Sequence, residues 1–303
     1  MSVKEIRFSI IVPTFNRANL ITKTLESALN QNYSNYEIIV VDDGGTDNTQ
    51  EIVEKIGSEK IIFVKKTKNQ ERSAARNTGT QNSSGDYLYF LDSDDIIYSN
   101  HLSAANTFIQ MNNHPEFIIP KHEIINENNI KNPKSFDYKG DLNKRIIEGN
   151  FIGCMFFLRK DIALKHPFNE NRLLSSGSED YELCLRLASR YKIHLIDAYT
   201  CAFVNHNKRS VLNVNLNTLK GRMTQLEYYL FMDKPFINIY GKYLKQFQCD
   251  NLTYIALHLS ITKNHKKEAL KYLLKSLLMN PLRAISTLRF YVTIYKILFF
   301  RLS

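Results

Sequence analysis

Cysteine is scarce in this chain, and no pattern turns it into a structural device. The four thiols, Cys154, Cys184, Cys201 and Cys249, lie far apart and form no CxxC pair. That excludes a zinc ribbon and supplies no disulfide framework, so buried thiols and a reducing, cytoplasmic compartment are expected. The opening residues do not combine a basic start, a long apolar stretch and a small-residue cleavage site, and no export signal is expected. No glycine-rich phosphate loop opens the chain, which counts against a nucleotidyltransferase. A clean apolar run of about 18 residues, the length a membrane-spanning helix needs, is also missing. The most apolar segment, 281–303, is interrupted by Arg289 and Lys296.

What is present suits a globular chain with one large domain and a smaller appendage: 303 residues, 44% hydrophobic and 12% aromatic. The formal charge of +10 is concentrated at one end. Residues 242–303 hold eleven Lys and Arg against Asp250 and Glu268, so the first 241 residues are nearly neutral.

Apolar runs alternate with helical patterns over the first hundred residues. RFSIIV (7–12), YEIIVVD (36–42), KIIFV (60–64) and DYLYFL (86–91) read as strands. NLITKTLESALNQ, DNTQEIVEKI and ERSAARNTGTQNS, between them, carry apolar and small residues at three- and four-residue spacing. This βαβα series predicts an α/β fold with a mostly parallel sheet flanked by helices. Ligands bind such sheets outside the carboxyl ends of the strands, where PTFNR (13–17), DDGGTD (42–47) and DSDD (92–95) fall. Further on, the pattern predicts a helix over 101–112, a strand over 116–120, a loop over 126–140 and an apolar stretch over 151–158. A helix over 178–191 with Ser178 as N-cap follows, then short strands near 193–197 and 200–204. After about residue 212 helical patterns take over, broken by Pro235 and Pro281, giving a catalytic-type domain over 1–212 and a helical, basic region over 213–303.

The DSDD burst poses a chemical question, because three carboxylates in four positions repel one another. Alternate residues of an extended segment point the same way, so Asp92 and Asp94 can face one side with Ser93 turned away. Hard oxygen ligands of this kind suit Mg²⁺ or Mn²⁺; the alternative is a solvated helix N-cap. Asp42 and Asp43, before Gly44 and Gly45, end another strand. A carboxylate there can accept the imide N–H of uracil while Phe15 offers a face to the base, or the aspartate can bind its own turn.

Five blocks, SIIVPTFNR, VVDDGGTDNT, SAARNTG, YFLDSDD and SGSEDYELCLR, stand in the order and near the spacing of glycosyltransferase family 2, which this chain resembles over residues 7 to about 210. The resemblance implies the GT-A fold and an inverting, metal-dependent transfer from a UDP-sugar. It implies nucleotide contacts from Pro13, Phe15, Arg17, Asp43, Asn69 and Arg76, donor contacts from Asp92 and Ser93, and a Mn²⁺ or Mg²⁺ ion held by Asp94 and Asp92. Asp180 matches the catalytic base, with Glu179 as an acceptor-orienting or capping neighbour. His206, near Arg209 and Ser210, resembles a late loop that touches diphosphate or metal; a structural histidine is the alternative. Asp180 lies in the first turn of its helix, where the macrodipole favours the ionised form, so deprotonation at neutral pH is expected. Two departures concern sugar and acceptor preference: Gln70, Glu71 and Arg72 replace the usual small residues, and tryptophan is absent.

On a helix after Pro281, Arg289, Thr293 and Lys296 share a narrow face opposite a wide apolar arc. The arc suits a helix in a membrane interface, with lysines drawn to anionic lipid; packing on the catalytic domain or on a second copy in a homo-oligomer is the alternative. Nucleic acid is not an expected partner. The expected function is transfer of a sugar from a UDP-sugar to a hydroxyl of a glycan; the resemblance implies a lipid-linked acceptor and bacterial capsule or O-antigen-type assembly at the cytoplasmic face of the inner membrane. The rivals are a sugar-1-phosphate nucleotidyltransferase and a non-catalytic sugar-nucleotide-binding scaffold.

Overall fold

The computed structural model describes residues 5–128, 130–131, 138–206, 216–261 and 265–299. The first half runs β1 (Phe8–Thr14), α1 (Ala18–Leu29), β2 (Tyr36–Asp42), α2 (Thr49–Ile56), β3 (Ile61–Lys65), α3 (Glu71–Asn82) and β4 (Tyr87–Phe90). It continues through β5 (Ile96–Ile97), α4 (His101–Met111), β6 (Phe117–Asn126), α5 (Leu142–Arg145), β7 (Phe157–Arg159), α6 (Lys160–Lys165), α7 (Glu179–Ala188) and β8 (Ile193–Asn205). The helical region contributes α8 (Leu216–Met232), α9 (Lys234–Tyr240), α10 (Leu244–Ser260), α11 (Lys266–Met279), α12 (Pro281–Ser286) and α13 (Leu288–Phe299). The expected division at residue 212, like Arg209 and Ser210, lies outside the described residues.

All eight strands form one sheet in the order β3-β2-β1-β4-β7-β6-β8-β5. The β3-β2-β1-β4 half is parallel, β7 runs antiparallel to both β4 and β6, and β6 and β8 are parallel. β1 and β2 are buried along their whole length, as near-continuous apolar runs in a parallel sheet should be. Alternation sorts the side chains of β4: Leu88 and Phe90 join the core that holds Leu183 and Leu187 of α7, while Tyr87 and Tyr89 join Ile21 and Leu25 of α1 on the other face.

Several segments differ from the sequence reading, and the strand expected over 116–120 runs on to Asn126 as β6. The two strands expected near 193–197 and 200–204 are one strand, β8, because pairing with β6 continues to Asn126 and register shifts at Pro120 to His122 absorb the interruption. Of the 151–158 stretch only its end enters β7; Ile152, Cys154, Met155 and Phe156 are buried without forming strand. The 178–191 helix ends at Ala188, and Ser178 stands at its N-cap without a side-chain cap bond.

Pro235 and Pro281 each begin a helix, where the missing N–H is no loss. Leu219, Met223 and Leu226 of α8, Phe236 of α9 and Phe247 of α10 share the core that holds Leu88 and Leu183. Arg190 grips Asp233 with two hydrogen bonds of 2.5 and 2.7 Å across the same junction. In α13 the buried residues are Phe290 and Thr293, while Leu288, Tyr291, Tyr295, Leu298 and Phe299 are exposed. Much of the apolar arc is therefore exposed, while Phe290, Ile294 and Ile297 pack inward beside the face bearing Thr293. No helix among the described residues is long and apolar enough to cross a membrane. All four cysteines are free and buried.

Candidate active site

The carboxyl ends of β3, β2, β1 and β4 lie side by side, and their following loops form one wall of a cleft of about 510 Å³. The opposite wall comes from Asn150, Gly153, Gly177 and the first turn of α7 with Glu179 and Asp180. Pro13, Phe15, Arg17, Asp43, Asn69, Arg76, Asp92, Ser93, Asp94 and Asp180 all line this one space. Of the residues expected at the site, His206 does not line the cleft but reaches its acidic group from β8.

Each of the two aspartates after β2 has its own task. Asp42 Oδ1 accepts the Gly45 N–H at 2.9 Å and closes the turn. Asp43 is buried yet lines the cleft; its carboxylate accepts the Gln70 N–H at 3.0 Å and lies 2.6 Å from Lys66 Nζ. Gly44 is required here, because φ is +76° and an added Cβ would stand 2.6 Å from the Lys68 carbonyl carbon. Phe15 is 43% exposed at the rim, a bare aromatic face beside Asp43 in the same cleft.

At the end of β4 the carboxylates separate by function. Asp92 Oδ1 accepts from Arg76 Nη2 at 2.6 Å. Asp94 Oδ2 lies 3.0 Å from His206 Nε2 and 3.8 Å from Arg17 Nη1. Asp95 is buried and structural: its Oδ1 accepts the Val204 N–H at 2.8 Å, and its carbonyl accepts from Thr24 Oγ1 at 2.8 Å. Asp92, Asp94 and Asp95 nonetheless each offer an oxygen within 4.8 Å of the others. A donor set of carboxylate oxygens, joined by an imidazole beside Asp94, fits a hard divalent cation.

Asp180 accepts the Tyr181 N–H at Oδ1 (2.7 Å) and the Asn150 side-chain amide at Oδ2 (3.0 Å). Burial, then the adjacent Glu179 carboxylate, push its pKa up to about 6, against the pull of Arg76. The macrodipole argument therefore has the wrong direction for the shift, because desolvation outweighs it; the carboxylate is still mostly ionised at pH 7. Glu179 lines the cleft but is almost completely buried. It is the counter-ion of Arg76, at 2.9 Å, with Arg72 Nε at 3.7 Å.

Sequence reasoning missed Asn150, Lys66 and the cleft-lining Gly177. Lys66 had a signal, a basic residue just past a strand end of a parallel sheet. Asn150 had none, because it reaches Asp180 from a segment without regular structure.

A mostly parallel sheet with a cleft at its strand ends, flanked by helices and followed by a helical region, is a GT-A fold. The chain belongs to glycosyl transferase family 2: residues 9–166 match that family. It is 31% identical over 234 residues to the Escherichia coli protein WfgD, a UDP-Glc:alpha-D-GlcNAc-diphosphoundecaprenol beta-1,3-glucosyltransferase, covering 77% of this chain and 89% of WfgD. The chain spans only 16–37% of the length of uncharacterised Rickettsia glycosyltransferases that it also matches. Staphylococcus aureus TarS, solved with UDP-GlcNAc, superposes with a TM-score of 0.69 at 20% identity, over 96% of this chain and 88% of that one. The Pyrobaculum calidifontis mannosyltransferase PcManGT, solved with GDP-Man and Mn²⁺, gives 0.61 at 18% identity, over 98% and 88%.

Proposed function

We propose that the protein is an inverting glycosyltransferase that moves a sugar from a UDP-sugar to a hydroxyl of a lipid-linked glycan in bacterial surface-polysaccharide assembly. The observation that carries this reading is the convergence of Asp43, Asp92, Asp94 and Asp180 on one cleft from four distant stretches of chain. The activity that WfgD's name states, at 31% identity over most of both chains, supports the donor and acceptor classes.

In this reading Phe15 stacks on the base, Asp43 accepts its imide N–H, and Asn69 and Arg17 border the nucleotide. Asp94 and Asp92, with His206 beside them, would hold Mn²⁺ or Mg²⁺, which when bound supplies Lewis-acid neutralisation of the diphosphate. Arg76 holds Asp92 in position from below, and Ser93 borders the donor. Asp180 takes the proton of the acceptor hydroxyl as its oxygen bonds to the anomeric carbon from the face opposite the departing UDP. A base with a pKa near 6 is ionised at pH 7 yet more basic than an ordinary aspartate, which suits the task. The exposed apolar face of α13, a helix of the basic C-terminal region, is the surface we assign to the cytoplasmic leaflet.

The test is UDP release from a panel of UDP-sugars with short-chain acceptors, with Mn²⁺ and after chelation. Transfer should depend on Asp180 and Asp94: Asp180→Asn should lower kcat by about 10²- to 10⁴-fold while UDP still binds. UDP release by Asp180→Asn at the wild-type rate would refute the reading, and pyrophosphate as product would make the protein a nucleotidyltransferase. Sedimentation with vesicles containing anionic lipid, lost on Leu288→Glu/Leu298→Glu substitution, tests the membrane face.

A further inference from the structure

A second cavity, of about 250 Å³, lies beyond Asp180 and shares Asn150, Gly177 and Asp180 with the cleft. It is smaller than the roughly 300 Å³ from which drug-sized ligand pockets start. The helical region closes it with Phe247 and Tyr254 of α10 and Arg289 of α13. Nothing in the nucleotide reading occupies it.

Arg289 lines the cavity together with Glu148, Asp180 and Asp250, and Arg222 stands behind the Tyr254 ring. Arg222 and Arg289 place their guanidinium carbons 5.6 and 5.8 Å from the centre of the Tyr254 ring. Arg222 is fully buried, and its donors go to neutral oxygens: Nη2 to Tyr254 Oη at 2.7 Å and Nη1 to the Ser176 carbonyl at 3.5 Å. Arg289 is half-buried and packs over Gly149, where an added Cβ would be 3.5 Å from Nη2. Among the described residues no carboxylate lies within ion-pair distance of either guanidinium. The acids nearby are otherwise committed. Asp250 is gripped by Arg283 at 2.8–3.1 Å, Glu148 sits at the exposed rim, and Asp180 is the proposed base. His258, its ring tilted 51° to that of Tyr254 at 4.3 Å, is kept neutral by its burial. A guanidinium with no acid at ion-pair distance, such as that of Arg289, can take an anion that arrives with a ligand through charge-assisted hydrogen bonds.

We infer that this cavity is the acceptor subsite, and that Arg289, backed by Arg222 and Tyr254, binds the phosphate or diphosphate through which the acceptor sugar is attached to its carrier. The inference rests on the glycosyltransferase reading for the word acceptor. The geometry suits it: a sugar seated between Tyr254 and Asp180 presents a hydroxyl to the base, while its anionic anchor points to α13, whose outer face is the apolar one. Arg222 is a positioning residue, since it reaches the cavity only through the Tyr254 hydroxyl it holds.

The test is calorimetry on the intact, metal-free protein with two probes, a decyl diphosphate carrying α-linked N-acetylglucosamine and the neutral decyl N-acetylglucosaminide. The wild type should bind the diphosphate probe about 10- to 100-fold more tightly, the range that a charge-assisted hydrogen bond supplies. Arg289→Gln should bring the two probes to within about twofold, and Arg289→Lys, which keeps the charge and loses the planar fork, should retain part of the preference. UDP affinity in Mn²⁺ reports that each variant is folded. Equal binding of both probes by the wild type, or a preference that survives in Arg289→Gln, overturns the inference. A preference that depends on Arg289 in a protein that transfers no sugar overturns the glycosyltransferase reading and leaves the anion site standing.

Discussion

Arg76 and Glu179, 103 positions apart, meet at 2.9 Å with both side chains almost completely buried. The same guanidinium reaches Asp92 at 2.6 Å, so one residue of α3 ties the end of β4 to the first turn of α7. The two walls of the cleft are thus fixed to each other at its floor. Removing one partner of a buried pair strands the other charge, at about 3–5 kcal/mol. Arg76→Ala should lower the unfolding free energy by about that much in urea titration, and Glu179→Gln, which leaves a neutral hydrogen-bonding group, by clearly less. Equal, small losses would mean that the pair does not brace the cleft.

The pKa of Asp180, raised to about 6, predicts an acid limb in the rate profile. As the proposed base, Asp180 would work only when ionised, so kcat/KM should rise with pH up to about 6, level off above it, and fall about tenfold per unit below. Glu179→Gln removes a neighbouring negative charge that raises this pKa, so the limb should move to lower pH. An unmoved limb would mean that another group sets it.

The same shift has a consequence for stability. Asp180 binds its proton more tightly in the folded than in the unfolded chain, so its ionisation opposes folding above pH 6 and has no effect below about 4. Stability from this group is therefore lost as pH rises through that window. Asp180→Asn should be more stable than the wild type by about 1–2 kcal/mol at pH 7.5, after allowing for the bond to Asn150 that an amide must rearrange. Thermal unfolding at pH 7.5 and pH 4 checks this: the gain should shrink at the lower pH.

Much of the cleft wall at the ends of β1 to β4 was legible because its chemistry is local. β1, β2 and β4 are apolar runs buried on both faces, and the polar clusters that follow them fall at the same edge of the sheet by topology alone. The opposite wall was not legible. Asn150 acquires its role from packing 30 positions away, and Arg289 reaches the second cavity only because α13 turns its polar strip inward. Asp95 shows the limit from the other side: in sequence it belongs to the acidic burst, yet its carboxylate is spent on the backbone of β8. The direction of the Asp180 shift also needed tertiary structure, because the helix end is visible in sequence and the desolvating wall is not.

Glu71 and Gly44 occupy left-handed backbone positions in neighbouring cleft loops, at φ +73° and +76°. Gly44 has no room for a side chain, so Gly44→Ala should displace residues 68 and 69, lowering both stability and UDP affinity. Glu71 is the reverse case, a side chain where glycine would be at ease, at a cost of roughly 1–2 kcal/mol. Its carboxylate lines the cleft and pairs at 3.3 Å with Arg172, which is 75% exposed, so the pair itself returns little. Glu71→Gly should therefore raise stability by a few tenths to about 1 kcal/mol, the backbone relief being partly offset by the greater freedom of glycine in the unfolded chain. Strain kept at a cleft residue is expected to serve ligand binding. The same variant should then change KM for donor or acceptor at least about threefold while kcat stays close to the wild type. Greater stability with both KM values unchanged would show that the carboxylate at this position contributes nothing to recognition.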